Sequence, residues 1–371
     1  MIKFLGDAQG NKLKGVAIVR LDFNANDDWR MRSALPTLNF LIKANAKILI
    51  LSHKGRPLEN SKFLISNTQI RNTFSLKKEA KILEKLLGRK IGFISDFDSK
   101  KIKKNLDLAP AKSVFVLENL RFFKEEEQNN LKFAKTLAFL GDYYVNDAFA
   151  VSHRANASVA AITKFLPSYA GFGFKSEIEN LEMVMRKPKR PLLLIVGGGK
   201  PSDKVEVLKN FKKIADKIII GGAVANTILA IRGVPIGDSI ADIKNQKHFK
   251  EIASYKNLVV PVDLHFKKSR ILDIGERTVK VFESEIARAS TIIWNGPLGL
   301  IEDKKFDDGT LALARAISRN KKSFSLAGGG ETVMFIREHK LENSFDFIST
   351  GGGAMLDFLA GKKLPGMEAL R

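Results

Sequence analysis

Between Pro191 and Lys204 the chain reads PLLLIVGGGKPSDK, a stretch that leaves few architectures open. Leu192 to Val196 is a short unbroken apolar run, as a parallel strand covered on both faces requires. Gly197, Gly198 and Gly199 then permit a tight turn and offer bare N–H groups, and Ser202 is placed to cap a helix carrying Val205, Leu208 and Phe211. Strand, glycine turn and helix start together make a phosphate cradle. Lys204 falls in the first helical turn, where the macrodipole disfavours a cation by roughly 0.3–1 kcal/mol. A bound anion reverses that sign. The plainer alternative is a turn that only packs helix on strand, with two solvated lysines.

The rest of the second half repeats the theme. Lys217 to Ile220 leads into Gly221-Gly222-Ala223, and Thr291 to Trp294 into Asn295-Gly296-Pro297-Leu298-Gly299 and Glu302. Ser323 to Ala327 precedes Gly328-Gly329-Gly330-Glu331-Thr332, and Phe345 to Ser349 precedes Thr350-Gly351-Gly352-Gly353, while Leu258 to Val262 lacks a glycine turn. Helix N-termini aimed at one sheet edge suit a nucleotide with several phosphates. Neither G-x-G-x-x-G nor the P-loop pattern occurs, which argues against a dehydrogenase and a P-loop ATPase.

The first half also alternates apolar runs with polar ends, but arginine replaces glycine. Val16 to Leu21 gives way to Asp22 and Asn24, and Ile48 to Leu51 to Ser52, His53, Gly55 and Arg56. A helix with Leu35, Leu38, Leu41 and Ile42 on one face lies between them, so the sheet is expected to be parallel. Another carries Leu76, Ala80, Leu83 and Leu87 and stops at Gly88. Val114 to Leu117 delivers Glu118, Asn119 and Arg121, and the run Asp142 to Phe149 precedes His153 and Arg154. Ligands of open parallel sheets bind beyond the carboxyl ends of the strands. Guanidinium forks at several such ends point to a small polyanion, which Arg30 is placed to join.

The pattern stops near Leu166-Pro167. Gly171-Phe172-Gly173-Phe174 reads as a flexible approach to a connecting helix with Ile178, Leu181 and Met185 on one side, ended by Lys187-Pro188-Lys189-Arg190-Pro191. The expected fold is therefore α/β, with two doubly wound parallel-sheet, Rossmann-like domains joined by a hinge helix. The divisions are 1–170, a linker at 171–190, and 191–353.

Composition narrows the class. A chain of 371 residues is long for one core, and 44% apolar with 27% charged residues is a globular balance. Without cysteine there are no disulfides or thiolate metal sites, and no signal-peptide core or bilayer-length apolar run is visible. A cytoplasmic protein is expected. The formal charge of +22 admits a polyanionic partner, or a lysine-rich bias combined with phosphorylated small substrates. The lysines are dispersed and no nucleic-acid motif appears, so no obligate nucleic acid and no membrane partner is expected. His248, His265 and His339 show no metal spacing, and His153 reads as an ordinary polar histidine.

One half for a small anion and one for a nucleotide imply phosphoryl transfer, in which positioning, cations and backbone N–H groups supply the catalysis. Lys200, Lys204, Arg30 and the Gly351 to Gly353 turn are the candidates, with Glu331 for magnesium. An acidic residue at a helix start is also favoured by the dipole alone.

Over nearly its whole length the chain resembles phosphoglycerate kinases, through VRLDFN, LSHKGRP, LENLRF, NDAFAVSHRANAS, GGGKPSDK, WNGPLGLIE, GGGET and STGGGAMLDFLAGKKLPG. The resemblance implies reversible, magnesium-dependent phosphoryl transfer between 1,3-bisphosphoglycerate and ADP, giving 3-phosphoglycerate and ATP, in glycolysis, by a hinge-bending monomer. By position it implies a phosphoglycerate site of Asp22, Phe23, Asn24, Arg30, His53, Lys54, Gly55, Arg56, Arg121 and Arg154. It implies nucleotide contacts from Lys200, Lys204, Gly221, Pro297, Glu302, Gly329, Gly330, Glu331 and Thr332. Catalytic roles fall to Arg30, Lys200, Lys204, Gly351 and Gly352, and the metal to Glu331. It also implies that 354–371 pack back on the first domain. The acceptor is a carboxylate, ionised above a pKa of about 3.5, so no general base is needed. Water exclusion calls for closure of the two halves.

Several positions depart from the family pattern. Glu331 stands where aspartate is usual, Phe123, Asn156 and Phe347 where histidines are common, the turn from Ala25 to Trp29 is short, and Leu264 to Ile271 lacks a family segment. None removes a charge assigned to phosphate, so an active enzyme is expected.

Overall fold

A computed structural model of the chain describes residues 1–8, 13–25, 28–60 and 67–371. The short turn at 25–29 thus lies partly outside the described residues. The chain divides into two compact units, Met1–Ile178 with Lys363–Arg371, and Glu179–Lys362. The division passes through the helix Phe172–Arg186, and only the last nine residues return to the first unit.

In the first unit, β1 (Val16–Arg20), β2 (Lys47–Leu51), β3 (Ile91–Ile94), β4 (Val114–Leu117), β5 (Tyr143–Asn146) and β6 (Ser168–Ala170) form one sheet in the order β3-β4-β2-β1-β5-β6. Every pairing is parallel. Crossover helices cover the faces, which is why β1 is buried at all five positions and can be apolar up to its last residue. The helix Trp29–Lys43 turns Met31, Ala34, Leu38 and Leu41 inward, and Lys77–Leu87 ends at Gly88 in the left-handed conformation.

β3 and β6 were not legible. Gly92 interrupts the IGFI run, and the structure needs it there, because a Cβ would come 2.4 Å from the Phe115 ring on β4. β6 has three residues and sits at the sheet edge. The expected flexible approach at Gly171–Phe174 is also different in the structure. Phe172 already starts the helix, Phe174 is fully buried edge-on against Phe149, and a Cβ on Gly171 would meet Asp147 at 2.5 Å. These glycines allow close approach to a carboxylate.

The second unit contains β7 (Leu192–Val196), β8 (Lys217–Ile220), β9 (Leu258–Val259), an antiparallel hairpin of β10 (Leu264–Lys267) and β11 (Arg270–Ile274), then β12 (Thr291–Asn295), β13 (Phe324–Gly328) and β14 (Phe347–Ser349). Its parallel sheet runs β14-β13-β12-β7-β8-β9. Strand order therefore reverses between β7 and β12. In doubly wound folds a ligand crevice opens at that switch point, outside the carboxyl ends of the strands. The hairpin carried no Asn-Gly or Asp-Gly signal, because Lys268 and Ser269 themselves occupy the left-handed turn (φ 46° and 57°). Both units are thus α/β and doubly wound. No helix among the described residues is long and apolar enough to cross a membrane.

Candidate functional site

The first unit gathers its polar groups where β1, β2, β4 and β5 end. Asp22 receives the Arg30 guanidinium at 2.6 Å and the Asn24 N–H at 2.9 Å, and its other neighbour is the His53 Nδ1 at 3.7 Å. Arg30 also donates to the Asn24 carbonyl at 3.0 Å. The Asn24 side chain accepts from the Gly55 N–H at 2.8 Å, and the Gly55 carbonyl accepts from Arg121 at 2.7 Å. Bonds from β1 to the β2 and β4 loops thus set Arg30 and Arg121. Phe23 is buried and contributes its N–H to Ser52 at 3.0 Å, while the Lys54 ammonium faces Glu79 at 2.6 Å.

Charge in this region is one-sided. Arg121 is 4% exposed, and burial together with Arg154, Arg20 and Arg56 lowers its pKa to about 10 against the opposing pull of Glu127. Burial, then Arg20, Arg121, Arg154 and Arg30, holds the His53 imidazole well below its ordinary range, so it is neutral at pH 7. Arg56 is exposed and Arg154 donates to the His153 ring at 3.1 Å; both act on Arg121 through charge. Cations that raise one another's energy in this way suit a ligand with several negative charges.

Arg20 was missed by the sequence reading, which took Val16–Leu21 as a plain apolar run. It is 2% exposed, and an arginine so deep should be paired. The signal was present in the sequence as a lone cation ending an otherwise apolar strand.

Two substitutions from the family pattern find partners here. Phe123 packs its ring against Phe97 and Phe133 at 5.1 and 5.3 Å, and buried Asn156 donates to the Glu126 carbonyl at 3.3 Å. Phe347 is half-buried in β14.

In the second unit the switch point is lined by glycine. Gly197 and Gly198 donate to the carbonyls of Asn295 and Pro297 at 2.9 and 2.8 Å, so the β7 and β12 turns lie backbone to backbone. A Cβ on Gly197 would fall 2.0 Å from the Pro297 carbonyl, whereas one on Gly199 or Gly330 would enter open space. A cavity of about 330 Å³ lies over these turns, with Lys200, Asp203, Lys204, Glu331, Thr332 and Gly352 in its lining. A second, about 180 Å³, shares Gly198, Gly199 and Glu331 with it and is walled by Ile240, Arg270, Ile271, Pro297, Leu298 and Glu302. Four glycines around the first cavity, Gly198, Gly296, Gly329 and Gly352, have φ of 93°, 97°, 99° and 49°, which side-chain-bearing residues rarely adopt.

Ser202 does not cap the helix. Pro201 fixes the backbone at the first position of a tight turn, Pro201–Lys204, so the α-helix begins only at Val205 with Lys204 at its cap position. Nor is Lys204 solvated, as the plainer reading required: it is 9% exposed and donates to the Asn295 side-chain oxygen. Burial lowers its pKa to about 8, with Asp203 and Glu331 opposing. Thr332 accepts the Gly296 N–H at 2.7 Å, so its hydroxyl braces the β12 turn. Gly221 and Gly351 line neither cavity. A Cβ on Gly221 would meet Leu298 at 2.3 Å, and the Gly351 N–H goes to Ser349 at 3.0 Å.

Among the described residues no cluster of three or more acidic or histidine side chains forms a metal cage. Two carboxylates, Asp203 and Glu331, line the first cavity. Such a donor set fits magnesium, which keeps water and takes one or two carboxylates beside substrate phosphates.

Residues 12–362 match the family model of phosphoglycerate kinase. The phosphoglycerate kinase of Dictyoglomus turgidum is 38% identical, the match covering 100% of this chain and 99% of that one, and that of Bartonella henselae is 38% identical over 95% of each. The solved phosphoglycerate kinase structures from Coxiella burnetii (TM-score 0.83, 32% identity, 100% and 99% covered) and Pyrococcus horikoshii OT3 (TM-score 0.87, 29% identity, 100% and 98% covered) share the fold. Two switch-point sheets, one ending in arginines and one in glycines, arise here from a sequence that aligns end to end with these enzymes: the chain belongs to the phosphoglycerate kinase family.

Proposed function

We propose that the arginine-rich end of the first sheet binds the triose acid, that the glycine-lined switch point of the second binds ATP or ADP, and that these are the working parts of a phosphoglycerate kinase. The reaction is reversible phosphoryl transfer between 1,3-bisphosphoglycerate and ADP, the glycolytic step of this family. The observation that carries the assignment is the gathering of buried Arg20 and Arg121 with Arg30 at the ends of β1, β2 and β4, tied together through His53, Asp22, Asn24 and Gly55. Calorimetric titration with 3-phosphoglycerate tests it: Arg121→Ala should weaken binding while ATP affinity is kept.

Within this reading Arg30, Arg56, Arg121 and Arg154 hold the phosphate and carboxylate, and Asp22 and Asn24 set Arg30 and take the acceptor's hydroxyl. Phe23, Lys54 and Gly55 shape the loops that present them. In the direction of ATP use the attacking carboxylate is already ionised, so no residue has to remove a proton. The neutral His53 is suited to donate a hydrogen bond.

On the nucleotide side, Lys200 and Lys204 meet the phosphates, and the N–H groups around Gly329, Gly330 and Gly352 face the migrating group, with Gly351 holding that turn through its bond to Ser349. Charge builds there as the bond breaks, and preorganised donors need no rearrangement. Glu302 meets the ribose, while Gly221, Pro297 and Thr332 hold the turns in place. Glu331, with Asp203, would hold magnesium, which neutralises phosphate charge when bound. The larger glutamate is accommodated because the carboxylate borders both cavities. Acceptor and donor belong to different units, so the reading includes closure during turnover. It also places the protein, as a monomer, in the cytoplasm, in keeping with a chain that has no cysteine.

A further inference from the structure

Glu126 and Ser158 play no part in the scheme above, yet both are almost fully buried, 1% and 0% exposed, beneath the acceptor site. Glu126 lies in the short helix Lys124–Glu127 and Ser158 in the loop that follows β5. Glu126 Oε1 accepts the Ser158 hydroxyl at 2.6 Å and Oε2 accepts the Ser158 N–H at 2.9 Å. The Glu126 carbonyl takes the Ala157 N–H at 2.9 Å as well as the Asn156 amide at 3.3 Å. Four bonds from three consecutive residues thus converge on one glutamate.

The Ser158 hydroxyl gives its proton to Glu126, which leaves its lone pairs for Arg20. The Arg20 Nε donates to Ser158 Oγ at 2.9 Å, its Nη1 donates to the Leu21 carbonyl, and its Nη2 lies 3.1 Å from His53 Nδ1. A guanidinium has donors only. His53 Nδ1 must therefore accept, and the single ring proton of the neutral imidazole resides on Nε2. Asp22 Oδ1, at 3.7 Å from Nδ1, is too far to compete for that nitrogen.

We propose that Glu126 and Ser158 are positioning residues of the acceptor site, which lock Arg20 and through it fix His53 as an Nε2–H hydrogen-bond donor. The assignment of His53 to the triose acid rests on the reading given under Proposed function; the relay itself does not. The other groups acting on His53 are Arg121, Arg154 and Arg30, all cationic. Glu126 is the buried carboxylate beside Arg20: burial raises its pKa, while Arg20 and the two Ser158 bonds favour the ionised form. Without that counter-charge a buried guanidinium would be driven toward solvent.

The test combines nitrogen NMR of the histidine rings with titration of 3-phosphoglycerate and ATP into the full-length protein, wild type and Ser158→Ala. Wild-type His53 should show an unprotonated Nδ1 and a protonated Nε2 through the neutral range. In Ser158→Ala the ring should give mixed tautomers, and 3-phosphoglycerate affinity should fall about tenfold, as the loss of one charged hydrogen bond implies. ATP affinity should stay unchanged. Glu126→Gln keeps the volume but removes the charge opposite Arg20 and, with its oxygen on the Ser158 N–H, turns its amide N–H toward the Ser158 hydroxyl in place of an acceptor, and should shift both readouts in the same direction. An unchanged His53 tautomer and unchanged 3-phosphoglycerate affinity in either folded variant would overturn the proposal. So would protonated Nδ1 in the wild type, a readout that survives even if neither variant folds. Failure of the wild type to bind 3-phosphoglycerate would instead count against the functional reading, and the ring nitrogens would then decide the relay.

Discussion

Lys204 buries its ammonium against the side-chain oxygen of Asn295, whose own amide donates to the Gly328 carbonyl at 2.8 Å. One asparagine thus ties the cation of the β7 turn to the ends of β12 and β13. The arrangement is costly without a ligand, since burial lowers the Lys204 pKa to about 8. A phosphate in the cavity would restore the charged form.

The pH profile should show this. In the free protein Lys204 loses its proton as pH rises through about 8, so kcat/KM for ATP should fall above that point. Because kcat reports the complex, its alkaline limb should lie at higher pH. Lys204→Arg, which stays charged, should move the kcat/KM limb out of range. Coinciding profiles in wild type and Lys204→Arg would remove Lys204 from the phosphate site.

Thr332 offers a volume-conserving probe of the β12 turn. Thr332→Val leaves the Gly296 N–H without its acceptor, at a cost of about 1–3 kcal/mol for an unsatisfied buried donor. Denaturant unfolding should register the loss, and KM for ATP should rise as the turn relaxes. An equal midpoint in wild type and variant would show the hydroxyl to be dispensable.

Arg270 opens the β11 strand and borders the smaller cavity, as does Glu302. The hairpin is fastened to the preceding loop by Ser269 to Asp238 at 2.6 Å and by the Ile271 N–H to Ser239 at 2.8 Å, so Arg270 is carried on a braced wall. A guanidinium in that place can lie over a base. Arg270→Ala should raise KM for ATP several-fold with kcat kept, the pattern of lost uniform binding. A fall in kcat at unchanged KM would contradict this placement.

Asp147 caps the start of helix Phe172–Arg186, accepting the Phe174 N–H at 2.8 Å on one oxygen while the other has no partner. Burial raises its pKa from 3.8 to about 6. Between these values the folded state holds a proton that the unfolded state has released, so this group's contribution to stability falls as pH rises from about 4 to about 6. Thermal unfolding of wild type and Asp147→Asn across that window should differ in slope, with the wild type losing more. Parallel curves would mean that the carboxyl titrates normally.

The legible parts of this molecule are those where backbone chemistry forces a residue type. Glycine runs after apolar strands marked the switch point of the second sheet, because side chains are excluded where two turns meet there. Arginines after β2, β4 and β5 marked the cationic end of the first sheet. What stayed hidden depended on contacts far apart in the chain. β3 was masked by a glycine that answers to Phe115, Arg20 by its place in an apolar strand, and the Lys204–Asn295 pair by a sequence separation of 91. Pro201 was visible, but that it delays the α-helix and so buries Lys204 follows only from the packing of that turn.

The central claim is that the glycine-lined turn and its lysines act on a phosphoryl group bound for the triose acid. The initial rate of 1,3-bisphosphoglycerate formation from 3-phosphoglycerate and ATP, in wild type and Lys200→Ala, with and without magnesium, tests it most directly. The account predicts magnesium-dependent turnover in the wild type and a loss of roughly 100-fold or more in Lys200→Ala, comparable to removing one preorganised transition-state donor. No turnover in the wild type, or an undiminished rate in Lys200→Ala, would contradict it.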